Sequence, residues 1–187
     1  MAGQEPAPFL ARPHGPPFDL ADHREQHYQL DRLLAKGPVV LVFYYGYYCN
    51  HCVGQLFALS DDIQKFRELG AEVVAVSADP PKQTRERFRQ YGEFAFPILS
   101  DPGNKVCREY GVFQPAREGR EEILQHGTFV LGRDGIVAWA QCGDEPFTGN
   151  KTLLYELARL EGRLPGPKPH GATSAARQPS ERQMRSP

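Results

Sequence analysis

Two cysteines separated by two residues, Cys49 and Cys52, are the residues of this 187-residue chain best suited to chemistry. Wound into a helical turn, that spacing brings two sulfurs to bonding distance, so one thiol can attack a disulfide while the other resolves the mixed disulfide. Cys49 is the natural attacker and Cys52 the natural resolver. His51 lies inside the pair, where a partly protonated imidazole would stabilise a neighbouring thiolate; a solvated residue at the start of a helix is the equal alternative. Cys107 and Cys142 stand alone and read as small buried hydrophobes.

Zinc competes with redox chemistry for any such pair. It takes four N or S ligands, and one Cys-x-x-Cys supplies two. The others would have to come from Cys107, Cys142, His51 or His126, none of which forms a second close pair, so neither a metal nor an organic cofactor is expected. The longest apolar run, Val39 to Tyr45, is too short to cross a bilayer, and Met1 leads into polar, Pro-rich sequence rather than a basic and then apolar stretch. These features give the expectation of a cytoplasmic protein without membrane contact, where a close thiol pair means chemistry and not a staple. A formal net charge of -1 offers no field to gather nucleic acid.

The elements that must position the pair follow from hydrophobic patterning. Val39 to Tyr44 is a continuous β-branched and aromatic run after Gly37-Pro38, a strand covered on both faces. Leu56, Leu59, Ile63 and Phe66 recur at helical spacing and predict an amphipathic helix ending near Gly70. Cys49 therefore sits between a buried strand and the first turn of a helix, where backbone N–H groups without intrahelical partners and the helix dipole favour its thiolate.

Val73 to Ser77 is a second buried strand, and Asp79-Pro80-Pro81 opens a helix closing at Gly92. Phe96 to Leu99 is a short strand, Asp101 to Asn104 a turn, and Lys105 to Tyr110 a short helix. Arg133-Asp134-Gly135 joins two strands, 127–131 and 136–140, into a hairpin, and Lys151 to Leu160 supplies the last helix. Strands alternating with helices over residues 18–162 predict an α/β domain with a mostly parallel sheet. Residues 1–17, with five prolines, read as an extended arm, and residues 163–187 as a disordered, basic, Pro-rich tail.

The run VVLVFYYGYYCNHCVGQLFAL, with GAEVVAVSAD, FAFPILSDPGNKVCREYGV and GTFVLGRDGIVAWAQCGD, resembles the thioredoxin-like superfamily and, within it, the peroxiredoxin-like branch of alkyl hydroperoxide reductase and thiol-specific antioxidant proteins. The resemblance implies a three-layer fold with a central mixed sheet flanked by helices; proteins of this fold often pair through sheet edges or the face around the site, and the sequence leaves the oligomeric state open. A peroxiredoxin site resembles Pro-x-x-x-Thr-x-x-Cys with a distant Arg. Laid on this chain, its peroxidatic sulfur falls at Cys52, its Thr at Cys49, its Pro at Tyr45 and its Arg near His126. A thioredoxin site resembles Trp-Cys-x-x-Cys, with Tyr48 standing at the Trp, and its cis-Pro position falls at His126-Gly127.

The sequence thus implies a thiol-disulfide oxidoreductase first, with Cys49 and Cys52 catalytic and His51, Tyr48 and His126 as supporting candidates. A thiol peroxidase with Cys52 peroxidatic is the alternative, because the Thr and Arg that hold a peroxide are replaced. A zinc-binding or inert scaffold is the third reading. Its implied partners are protein or small-molecule disulfides, or peroxides, and a cellular thiol reductant. His126 could donate a proton in place of the Arg, or be an ordinary loop histidine, and Cys107 could resolve a sulfenic acid from a distance, as in some members of the family.

Overall fold

The computed structural model describes residues 14–164 except Arg117 and Arg120. In chain order the elements are β1 (Asp19–Asp22), β2 (His27–Gln29), α1 (Leu30–Lys36), β3 (Val39–Phe43), α2 (Asn50–Asp61), α3 (Ile63–Glu68), β4 (Glu72–Ser77), α4 (Pro81–Tyr91), β5 (Ile98–Ser100), α5 (Lys105–Glu109), β6 (Phe113–Gln114), β7 (Ile123–Leu124), β8 (His126–Leu131), β9 (Val137–Gly143) and α6 (Asn150–Leu160). Seven strands form one mixed sheet in the order β2-β1-β5-β4-β3-β8-β9, while β6 and β7 pair separately. Strands β3, β4 and β5 run parallel, and β8 lies antiparallel to both β3 and β9.

The continuous apolar run of β3 is explained by burial on both faces, since all five of its residues are buried. Val40 and Val42 join Leu56, Leu59, Phe66, Phe88, Leu153 and Leu157 in one core, under α2, α3, α4 and α6. Val39, Leu41 and Phe43 point the other way, toward Leu30, Leu33, Val106 and Cys107 of α1 and α5. The three layers expected from the sequence are present. Each fully buried Leu or Phe in them contributes about 1.5–3 kcal/mol relative to its exposed state. Among the described residues no helix is long and apolar enough to cross a membrane.

The structure departs from the sequence expectations in the sense of its sheet, in its first elements and in one helix: four of the six pairings of the seven-stranded sheet are antiparallel, because the β1–β2 and β8–β9 hairpins flank the parallel strands β3, β4 and β5. The β1–β2 hairpin and α1 occupy a stretch that the pattern left without elements, and β1 extends the sheet by pairing with β5. The end of the arm is docked: Gly15 N–H donates to the Gly135 carbonyl at 2.9 Å and the Tyr110 hydroxyl to the Pro16 carbonyl at 3.0 Å. The single helix expected through Phe66 is broken at Asp62, whose φ of -95° and ψ of 6° end α2 and begin α3. Its carboxylate accepts from the Asn150 side-chain amide of α6 at 2.9 Å, a contact no local pattern encodes. The remainder of the expected arm and the tail from residue 165 lie outside the described residues.

Candidate active site

The chain leaves β3 through an aromatic turn that is fixed from below by Asp79. Gly46 adopts φ of 112°, and a Cβ there would stand 2.8 Å from both Asp79 carboxylate oxygens, so this position requires glycine for conformation and for space. The Tyr47 N–H donates to Asp79 Oδ2 at 3.0 Å, and the Ser77 hydroxyl donates to the same oxygen at 3.3 Å. Burial raises the Asp79 pKa, and the bonds from Tyr47 and Ser77 partly oppose that.

Cys49 is the N-cap of α2, and its sulfur accepts from the Cys52 N–H at 3.4 Å, taking the part that a hydroxyl or carboxylate oxygen ordinarily plays. Cys52 lies in the first turn. The two sulfurs are joined in a disulfide, with the Cα atoms 5.3 Å apart. Cys52 is fully buried in the core beneath α2, whereas Cys49 is half-buried and Tyr48, beside it, is 68% exposed. The pair therefore has an inner sulfur and an outer one.

His126 meets the inner sulfur across 74 residues of sequence. Residues Val39 to Phe43 of β3 register with Leu131 to Gly127 of β8, so the first residue of β8 falls at the sheet end where the aromatic turn begins. His126 is buried, with Nε2 3.6 Å and Nδ1 3.9 Å from Cys52 Sγ, both within hydrogen-bonding range of sulfur. The Tyr45 ring lies 4.1 Å from the imidazole at an angle of 32°, and the Tyr45 hydroxyl donates to the Leu124 carbonyl at 2.9 Å. The imidazole thus packs against a tyrosine ring that is itself anchored to the backbone. Burial lowers the His126 pKa, against the raising effect of the Glu145 and Asp144 charges.

Gln55, one turn after Cys52, ties the helix to its surroundings. Its amide donates to Thr128 Oγ1 of β8 at 3.1 Å and to the Phe147 carbonyl of the β9–α6 loop at 2.8 Å. Phe147 in turn packs on Trp139 of β9, with ring centroids 4.7 Å apart. Gln55 and Thr128 are both buried, which gives this helix face a polar anchor inside an apolar core.

The sequence candidates separate clearly in space. Cys49, Cys52 and His126 come together. Tyr48 stands at the rim, and His51 is exposed, with Nδ1 3.7 Å from Glu145 Oε2. Cys107 is buried on the opposite side of the sheet, where burial pushes its thiol far up. Cys142 packs against that same side and is pushed up to about 11. Tyr45, Gln55, Asp79 and Thr128 were not among the sequence candidates for the site, because their parts depend on contacts between distant segments. Among the described residues, one group of three potential metal-binding side chains is present, Cys49, Cys52 and His126, with donor atoms all within 4.8 Å of one another.

Comparison with known proteins supplies relatives. Residues 12–140 match the AhpC/TSA family. A chloroplastic peroxiredoxin Q of Sedum lineare is 36% identical over 125 residues, which cover 65% of this chain and 63% of that protein. Alkyl hydroperoxide reductase E of Mycobacterium tuberculosis is 34% identical over 128 residues, 67% of this chain and 80% of that protein. The chain thus spans less than two thirds of the plant relative. Among solved structures, peroxidoxin BcpB from Mycobacterium tuberculosis superposes with a TM-score of 0.67 at 26% identity, covering 80% of this chain and 94% of that one. Peroxiredoxin Q of Xanthomonas campestris gives 0.65 at 24% identity, covering 78% and 90%. The sheet and its two helical layers therefore have a common source: this chain belongs to the AhpC/TSA family.

Proposed function

We propose that the protein is a thiol peroxidase in which Cys52 is oxidised by the peroxide and Cys49 resolves. One observation carries this reading: the inner sulfur, not the outer one, is met by His126, in the region where the resemblance puts the peroxidase arginine. Family membership supports it as well, and together they reverse the order expected from sequence, which put general disulfide exchange first. The Cys52 thiolate attacks the terminal peroxide oxygen. The O–O bond breaks, the sulfur becomes a sulfenic acid, and the leaving oxygen takes a proton to depart as water or an alcohol. His126 is the side chain placed to hydrogen-bond the reacting sulfur and the oxygen leaving it. Cys49 then attacks the sulfenic sulfur, expelling water and forming the disulfide that the structure contains.

The outer position of Cys49 suits the return step. An external thiolate attacks Cys49, the accessible sulfur, and displaces Cys52 as a thiolate beside His126; a second thiol then releases Cys49. General thiol-disulfide exchange is thus the reductive half of the proposed cycle, with Tyr48 on the surface a partner would meet. Mixing the reduced protein with hydrogen peroxide and following one turnover tests the proposal. Wild type and Cys49→Ser should consume one equivalent much faster than free cysteine does, and Cys52→Ser should not. Consumption by Cys52→Ser at the wild-type rate would overturn it.

A further inference from the structure

The same three side chains carry a second capacity when the pair is reduced. We propose that the reduced dithiol and His126 bind one zinc ion, and that forming the disulfide expels it. Sequence alone supplied two ligands, and the fold supplies the third. Zinc holds thiolate sulfur at about 2.3 Å and imidazole nitrogen at about 2.0–2.1 Å, so two such ligands at a tetrahedral angle stand roughly 3.6 Å apart. Cys52 Sγ and His126 Nε2 are 3.6 Å apart. That distance is the one a shared ion needs; with Nδ1 at 3.9 Å the sulfur stands almost equidistant from both ring nitrogens, so the imidazole must turn to aim one of them at the ion.

Breaking the S–S bond and turning the imidazole supply the rest of the polyhedron. All donor atoms of the three residues already lie within 4.8 Å of one another, and Cys-x-x-Cys is a usual bite for zinc. The imidazole packs against the ring of Tyr45, whose hydroxyl is tied to the Leu124 carbonyl, and this keeps it beside the two sulfurs. Cys52 and His126 are buried and Cys49 is half-buried, which leaves the fourth position open on the outer side for water. The dithiol gives up its thiol protons as the zinc dithiolate forms, with no change of oxidation state. A disulfide has no thiolate to offer, so oxidation and metal binding exclude each other. Zinc would shield the inner sulfur from peroxide, and oxidation would release the ion.

This proposal needs only a reducible pair and does not rest on the peroxidase reading. The experiment uses the full chain, reduced with a phosphine, stripped of metal and titrated with zinc against a chromophoric chelator. One equivalent should bind the reduced protein and none the disulfide form, with affinity falling at least about tenfold in His126→Ala and in each cysteine-to-serine variant. X-ray absorption of the zinc-loaded wild type, which requires no variant to fold, should show two sulfurs and one imidazole nitrogen. Equal affinity in reduced and oxidised protein, wild-type affinity in His126→Ala, or a zinc shell without imidazole would each overturn the site. Peroxide turnover is not read in any of these arms, so their failure leaves the function proposed above standing.

Discussion

Replacing His126 by leucine separates its chemical from its structural part. Leucine keeps apolar volume in a buried position and removes both ring nitrogens, which lie 3.6 and 3.9 Å from the Cys52 sulfur. Whichever tautomer is present, its protonated nitrogen lies within hydrogen-bonding distance of the sulfur. A hydrogen bond to a charged group contributes about 1.5–3 kcal/mol. At about 1.4 kcal/mol per factor of ten, its loss should slow the reaction of reduced protein with hydrogen peroxide by roughly 10- to 100-fold. The structural loss is smaller, since the ring contact with Tyr45 accounts for about 0.5–1.5 kcal/mol. Rapid-mixing measurement of a single turnover, alongside urea unfolding, reads both numbers. The attack of an external thiol on the Cys49 side of the disulfide should change less than the peroxide step. A peroxide rate within threefold of wild type in a folded His126→Leu protein would refute the role given to this side chain.

Gly46→Ala should lower stability by about 2–4 kcal/mol in urea unfolding, from the positive φ and from displacing the carboxylate that accepts the Tyr47 N–H. Asp79 has a pKa raised by burial, so the native state binds more protons than the unfolded chain from pH 3.8 up to the raised value; stability should fall as pH rises through that window. Asp79→Asn should abolish that part of the slope in unfolding curves taken at several pH values, and a difference from wild type that is constant with pH would contradict it. Cys142, pushed up to about 11, should carry roughly one thiolate per thousand molecules at pH 8. In a Cys49→Ser/Cys52→Ser protein its alkylation, followed by mass, should therefore be far slower than that of free cysteine.

What the sequence made legible was whatever is local and repeated. The apolar run of β3 and the Cys-x-x-Cys that follows it need no distant partner to be recognised, and both stand where expected. β1 and β2 were missed because they are four and three residues long and contain Asp19, Asp22 and His27, which hide their pairing. α1, a seven-residue helix with only Leu30 and Leu33 buried, gave too short a period to read. The break at Asp62 depends on Asn150, 88 residues away.

The site divides the same way. His126 was nominated by resemblance, as the residue near the place of a lost arginine, and the register of β3 with β8 gives that nomination a physical basis. Gln55, Thr128 and Asp79 had no signal strong enough to be nominated, because each works through a hydrogen bond between segments that only the fold brings together. His51 was weighed for its place between the sulfurs, yet a helix turn points that side chain outward, to Glu145.

The choice of the inner sulfur as the one that meets peroxide is tested most directly by trapping the first oxidation product. Reduced Cys49→Ser protein, given one equivalent of hydrogen peroxide with a reagent specific for sulfenic acid, should carry the adduct on Cys52 when its peptides are read by mass spectrometry. An unmodified Cys52 in that protein, together with a trapped adduct on Cys49 in Cys52→Ser, would contradict it.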